Sequence, residues 1–355
     1  MYPQKKNIMK KHITLSFLLL VCLRIGAWTS PVSIPSIGDA DIRIVGQNVE
    51  NYLSDFTAYN SSCKSQEEFE EKTNKIANAF LALDADIVAI CEVQRDDEIL
   101  RYIVDEMNSL YGSAVYSYVT DGLYAGQSSS GYQPLKSGFI YRKDKLALYG
   151  TSSSPYRSGE YCARLRIQGF KEIASGEVFT LSVNHFKAKD SSADAGENTR
   201  LQNVSYLISA LGNISYDDDI LIMGDLNAYS DETPILNLVN AGYEEQLLRF
   251  TPNAYSYIYK GTKGLLDHAL ASETMAAQVT GANVYHINTS GSYYYRYSDH
   301  DCTMVGVSLG RKEQQGDGLH AATTAVKARK IMNNGTLYIL VEDRLYDLTG
   351  QLISQ

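Results

Sequence analysis

Apolar residues recur along this chain with two alternating periods. In "SQEEFEEKTNKIANAFLAL", residues 65–83, Phe69, Ile76, Phe80 and Leu83 are spaced to share one face of a helix. Ser65 with Glu68 three places later forms a capping box that marks where the helix begins. "DIVAIC" follows at once, a short unbroken apolar run typical of a strand covered on both faces. A second helix is predicted from Ile99, Ile103, Val104, Met107 and Leu110. A third, within Arg200–Leu211, carries Leu201, Val204, Leu207, Ile208 and Leu211 on its apolar side. Strands are predicted at Ile42–Val45, Gly138–Tyr141, Phe179–Val183, Ile220–Met223, Leu265–Leu270 and Thr303–Leu309. Over residues 40–310 this alternation predicts an α/β fold with buried sheets.

Both ends of the chain depart from that pattern. Lys5, Lys6, Lys10 and Lys11 precede the apolar stretch Ile13–Leu23, and Gly26, Ala27 and Ser30 follow it. This order predicts a signal peptide over residues 1–29, too short to span a bilayer comfortably, and hence an exported, soluble protein, extracellular or periplasmic. Cys22 lies inside the segment, but the bulky Val21 before it does not suit a lipoprotein cleavage site. Residues 311–330 are polar with scattered Gly and Ala and read as a linker. Residues 331–355 show two short strand patterns about a turn at Glu342–Asp343, predicting a small C-terminal β-hairpin tail.

Composition narrows the chemistry. The 355 residues are 44% apolar and 21% charged, as in an ordinary folded chain. A formal net charge of −9 excludes a broad basic face neutralising many phosphates, so a polyanionic substrate would need a metal or a local cluster of Lys and Arg. Beyond the leader stand Cys63, Cys91, Cys162 and Cys302, whose three pairings the sequence leaves open and whose scattered spacing fits no compact zinc motif.

Polar residues recur at strand ends. "IRIVGQN" ends in Asn48, "IVAICE" in Glu92, "FTLSVNH" in His185, and "ILIMGDLN" delivers Asp225 and Asn227, while "YSDHD", residues 297–301, stands just ahead of a strand. Layered α/β proteins gather their sites at the carboxyl edges of strands. Oxygen ligands with imidazoles select a hard cation, magnesium first, with manganese or calcium as alternatives. Read alone, "GDLN" is a turn and His185 a satisfied core histidine. Glu92 resists such a reading, because an unpaired buried carboxylate is costly. The row Asp299, His300, Asp301 likewise needs a cation or proton to relieve it.

In order, "QNVENY", "ICEVQ", "SGFIYR", "SVNHFKAK", "IMGDLNAY", "LLDHALAS" and "YSDHD" resemble the motif series of the endonuclease/exonuclease/phosphatase family, which includes deoxyribonuclease I. The match runs from about Asp41 to Leu309. "NVENY", "LDADIVAICEVQ" and "NHFKAK" with Arg200 downstream look most like its secreted bacterial nucleases. The resemblance implies a four-layer α/β sandwich, two packed mixed sheets flanked by helices, and a divalent-metal-dependent phosphodiesterase. Its first substrate is extracellular DNA and its second RNA. The alternative is a same-fold phosphatase or a phospholipase C-like enzyme of sphingomyelinase or inositol-phosphate type.

On the family pattern Asn48, Glu92 and Asp299 serve the metal. Asp225 and Asn227 position and activate water. His185 and His300 face the phosphate, and Asp267 orients His300. Arg164 matches the family's phosphate-binding arginine, although Arg166 stands where the family has proline. Lys187, Lys189 and Arg200 are candidates for further phosphate contacts or for a solvated basic loop. The tyrosines of "SYYYRYS", with Tyr124 and Tyr132, are candidates for stacking on bases or for packing. His268 reads as structural and Asp301 as loop support. The tail resembles the C-terminal sorting modules of type IX secretion substrates, which implies that machinery as a partner, and a monomer is expected.

Overall fold

A computed structural model describes residues 30–120, 135–156, 164–214, 216–290 and 292–310, with the backbone of four strands in the tail. The leader over 1–29, Tyr124, Tyr132, Cys162 and residues 311–327 lie outside the described residues.

Two six-stranded mixed sheets form the centre. In spatial order the first is β13 (Val279–Tyr285), β14 (Cys302–Val307), β1 (Ile42–Tyr52), β2 (Ile87–Gln94), β4 (Leu135–Arg142) and β3 (Tyr116–Tyr118). The second is β5 (Leu146–Ser153), β6 (Leu165–Glu172), β7 (Val178–His185), β8 (Ile220–Asp225), β12 (Asp267–Ala271) and β9 (Glu244–Glu245). Strands β1 and β2 run parallel, as do β7 and β8, and the other pairs are antiparallel.

Alternation along each strand builds four layers. Ile42, Ile44, Ile87 and Ala89 of the first sheet meet Leu181, Val183, Leu221 and Met223 of the second in one apolar cluster. Phe170 crosses between the sheets, with its ring 5.7 Å from Phe139 at 80°. The opposite residues of the first sheet, Val45, Val88 and Ile90, pack on helices α1 (Gln66–Ala82) and α2 (Glu98–Tyr111). Leu165, Ile167, Ile222 and Leu270 of the second sheet pack likewise on α3 (Glu197–Ile214) and α4 (Thr233–Asn240). Each such side chain stabilises by roughly 1.5–3 kcal/mol, which is why the central strands are apolar on both faces.

The capping box forms with one difference. Ser65 Oγ accepts from the Glu68 N–H at 3.2 Å, but the Glu68 carboxylate reaches one residue further back, to the Lys64 N–H at 2.7 Å. The sequence pattern did not predict β5, β6 or β13. In β6, polar Gln168 sits among apolar residues because its buried amide donates to Tyr149 O at 3.1 Å and Gly169 O at 2.7 Å. Short helices α5 (Gln246–Phe250) and α6 (Glu273–Gln278) complete the layer contacts.

The chain separates into two compact units, Met1–Arg311 and Lys312–Gln355. Within the second, β15 (Ala328–Asn333), β16 (Thr336–Val341), β17 (Arg344–Tyr346) and β18 (Leu352–Ser354) form an antiparallel sheet. The hairpin expected there is its inner pair, β16 and β17. The sequence hides β15 because it opens on Ala328 and two cations, Arg329 and Lys330, and β18 because it spans only three residues.

Candidate active site

The site is the topmost row of the core between the two sheets. Ile44, Gly46 and Asn48 alternate up one face of β1. Leu181, Val183 and His185 do so on β7, Leu221, Met223 and Asp225 on β8, and Ala271, Ala269 and Asp267 on the antiparallel β12. Register sets His185 opposite Asp225, and Asp225 opposite Asp267, so three ionisable groups stand side by side across the second sheet. Gly224, with φ 122°, precedes Asp225 because a Cβ there would lie 2.2 Å from Asn184 O.

Glu92 arrives differently. By strict alternation it would follow Val88 and Ile90 toward the helices. The β1–β2 register shifts between Asn48 and Tyr52, and Glu92 takes φ 66°, with Glu50 and Asn51 also at positive φ. Bulges of this kind re-aim a side chain at the cost of local strain. Here the Glu92 carboxylate turns to accept from Asn48 Nδ2 at 2.9 Å and from the Asn51 N–H at 2.7 Å. Asn48 Nδ2 also donates to Asp225 Oδ2 at 3.0 Å, so one amide joins carboxylates carried by opposite sheets.

His185 Nε2 lies 3.4 Å from Glu92 Oε1 and 3.8 Å from Asp225 Oδ2. His300 Nε2 lies 3.8 Å from Asp225 Oδ2, while its Nδ1 donates to Asp267 Oδ2 at 2.6 Å. Asp225 Oδ1 accepts from the Asn227 N–H at 2.9 Å, and Asn227 Nδ2 donates to Phe186 O at 3.2 Å. Two groups thus share Asp225. Glu92, His185 and Asp225 form one, Asp225, Asp267 and His300 the other, and each offers ligand atoms within 4.8 Å of one another.

Burial and crowding divide the protons. Burial lifts the Asp225 carboxyl to about 7, helped by Asp267 and Glu92 and opposed by His300. Burial also raises Glu92, but His185, the Asn48 amide and the Asn51 N–H outweigh it and hold this carboxyl below its ordinary range. Burial lowers His185 to about 4 against the pull of Glu92, and the Arg164 charge adds to the fall. For His300, burial is overcome by Asp267 and Asp225, which hold the imidazolium well above its usual range. His185 Nδ1 and Asp267 Oδ1 are buried and have no hydrogen-bond partner among the described residues.

The other predicted residues fall around this centre. Arg164 immediately precedes β6, beside His185. Its carbonyl accepts from the His185 N–H at 3.0 Å, and its charge disfavours a proton on that ring. Asp299 is half-buried in the loop before β14 and belongs to neither ligand group, although its charge acts on His300 and Glu50. Lys187 pairs with Asp190 at 3.0 Å and Lys189 with Glu232 at 2.5 Å. Arg200 departs from the contact expected of it. It is 2% exposed, and its Nη1 donates to Lys187 O and Ala195 O at 3.0 Å each, so it staples the loop over the strand end instead of meeting a phosphate.

Asp301 answers the crowding in "SDHD" by facing away. Its Oδ1 accepts from the N–H groups of Asn288 and Thr289 at 2.9 Å each, and its Oδ2 pairs with His286 at 2.8 Å. The described cysteines, Cys63, Cys91 and Cys302, are buried and unbridged.

Sequence reasoning missed three residues that hold the site. Gln47 Nε2 donates to His300 O at 3.1 Å, Ser298 Oγ donates to Asn48 O at 2.6 Å, and the Tyr257 ring lies 4.6 Å from that of His300. Tyr257 carried a signal. "YIY" and "TKG" flank Lys260-Gly261, a two-residue hairpin pattern.

Solved structures share this architecture. An endonuclease/exonuclease/phosphatase protein from Bacteroides vulgatus aligns over 76% of this chain and 100% of its own, with TM-score 0.57 and 14% identity. A mannosyl-6-phosphatase from Bacteroides thetaiotaomicron aligns over 76% and 100%, with TM-score 0.55 and 14% identity. The human nocturnin catalytic domain aligns over 75% and 94%, with TM-score 0.50 and 17% identity. At such identities the likeness concerns the fold. No curated protein matches the chain. Among the described residues no helix is long and apolar enough to cross a membrane. The sequence profile of the Endonuclease/Exonuclease/phosphatase family matches residues 58–300, more than half the length, and the chain belongs to that family.

Proposed function

We propose that the protein is an exported, divalent-metal-dependent nuclease that hydrolyses phosphodiester bonds of DNA, with RNA as a second substrate. One observation carries the reading. Asn48, Glu92, His185, Asp225, Asp267 and His300, far apart in sequence, share one rim between two sheets within hydrogen-bonding or ion-pairing reach.

The residues suit a hard divalent cation. Three carboxylates crowd the rim, and burial lifts Asp225 to about 7, with Asp267 and Glu92 adding to the rise. Glu92 and Asn48 would hold the ion, with Asp299 at the margin. Magnesium fits this oxygen-rich set, with manganese or calcium as alternatives. A bound cation supplies neutralisation of the phosphodiester charge and a lower pKa for water. Asp225 takes the proton of the attacking water, and the Asn227 N–H holds its Oδ1. His300, protonated and oriented by Asp267, directs Nε2–H at a phosphate oxygen, and His185 and Arg164 face the same anion. Lys187, which pairs with Asp190, is a further candidate contact for substrate phosphate. The leader and tail are read as export signals, the tail for a type IX-like machinery.

A second reading, a phosphatase or phospholipase C-like enzyme for small esters, has one observation in its favour. A cleft of about 590 Å³ lies beside Glu50, lined also by Lys72, Lys75, Tyr293, Arg296 and Ser298, and suits a sugar-sized group. Plasmid DNA and RNA with magnesium, set against sugar phosphates, inositol phosphates and sphingomyelin, decides between the readings. Intact nucleic acid alongside ester turnover would reverse the ranking, and turnover by Glu92→Ala at the wild-type rate would remove the mechanism.

A further inference from the structure

The segment 255–264, "YSYIYKGTKG", holds three tyrosines, two lysines and no acid in a chain of net charge −9. It folds as a hairpin, β10 (Tyr257–Tyr259) with β11 (Thr262–Gly264). Lys260 and Gly261 connect the strands with φ 48° and 85°, the positive pair that a type I′ turn requires.

Its root is fastened to the catalytic loop. Tyr257 forms a β-bridge with His300, and their rings lie 4.6 Å apart at 32°. Tyr255 stacks on His286 at 4.0 Å and 13°, and His286 bonds Asp301. The Asp301 N–H donates to Ser256 O at 2.8 Å. Tyr229 packs beneath, so close that a Cβ on Gly264 would lie 2.3 Å from its ring. The far end faces solvent. Tyr259 is 54% exposed, Lys260 Nζ sits 5.1 Å from its ring centroid, and Lys263 Nζ sits 4.0 Å from that of Tyr255.

We infer that this hairpin guides a single-stranded or locally splayed nucleic acid, Tyr259 stacking on a base and Lys260 and Lys263 holding backbone phosphates while the scissile phosphate lies at His300. Aromatic faces beside lysines are how strands are held without sequence preference. A lipid surface fits less well, because the turn presents Lys260-Gly261 and the segment has one aliphatic residue, Ile258. The proposal rests on the nuclease reading and names which part of the chain grips the polymer.

The test pairs two readouts. Binding of a fluorescent oligothymidylate, measured by anisotropy with chelator present, reports the hairpin. Turnover of bis(p-nitrophenyl) phosphate with magnesium reports the site alone. Tyr259→Ala and the double variant Lys260→Ala/Lys263→Ala should each weaken oligonucleotide binding about tenfold. The double variant should also flatten the log–log salt dependence by roughly 1.4, about 0.7 per lysine. Small-substrate turnover should stay at the wild-type rate. Unchanged oligonucleotide binding, or an equal loss of small-substrate turnover, overturns the proposal. So does loss of binding to phosphatidylcholine vesicles with oligonucleotide binding intact. Wild-type protein that hydrolyses the small diester but binds no oligonucleotide removes the hairpin's role and leaves the hydrolase chemistry standing. Hydrolysis of neither substrate sinks both.

Discussion

Two histidines, His268 and His300, occupy this protein in nearly the same way and differ at one ring nitrogen. Each is buried and bonded to a carboxylate, His268 to Glu245 at 2.7 Å and His300 to Asp267 at 2.6 Å. The difference lies at the other ring nitrogen. His268 Nε2 meets Ala228 O at 2.8 Å, so two acceptors hold two protons and the ring has nothing left to exchange. His300 Nε2 instead faces Asp225, a carboxyl lifted to about 7, across 3.8 Å at the open rim. Burial and a carboxylate partner therefore do not mark a reactive histidine. What the second nitrogen faces does.

The largest test of that contrast is catalytic. His300→Ala should lower kcat on a phosphodiester about 10³-fold, within the range for a positioned acid–base group, while His268→Ala should leave kcat per folded molecule within twofold of wild type (the factor roughly what folding-yield differences allow). Equal losses in both variants would erase the distinction. Next in size is stability. His268→Ala leaves the Glu245 carboxylate without its buried partner and should cost about 3 kcal/mol in urea unfolding.

A divalent ion comes third. Magnesium at about 100 times its Kd should add about 2.7 kcal/mol to wild type, and Glu92→Ala should lose that gain while His268→Ala keeps it. Thermal melts with and without chelator read this directly. The smallest effect is in pH. For His268 burial opposes the imidazolium, but Glu245 and Ala228 O win and raise its pKa above the ordinary value. Its contribution to stability is thus complete below about 6.5, the unfolded value, and is lost as pH rises through the higher folded value. The stability gap between wild type and His268→Gln should narrow in alkaline solution. A gap that widens there would mean the ring is neutral when folded.

Much of the site was legible because strand ends announce themselves. An apolar run that stops at Glu92, His185 or Asp225 marks both the strand and its end. The bulge that turns Glu92 inward left no such mark, since positive φ at Glu50, Asn51 and Glu92 arises from the mismatch between two strands and belongs to neither alone. Arg200 shows a second limit. Sequence supplies a cation near the motif, but only packing decides whether its donors meet carbonyls of Lys187 and Ala195 or a phosphate. Gln47 and Ser298 were hidden for the same reason, because their partners lie some 250 positions away.

Asp267 and His268 are neighbours on β12 that point to opposite sides, one toward the other sheet and one toward the helices. A frame so tight makes the short Leu265–Leu266 approach intolerant of length change. Losing a single residue there would present an imidazole where His300 expects a carboxylate, and gaining one would bury an aspartate against Glu245. Insertions should be accepted at the Lys260–Gly261 tip and refused a few positions later, which gives this enzyme a sharply uneven tolerance to evolution within one short stretch of chain.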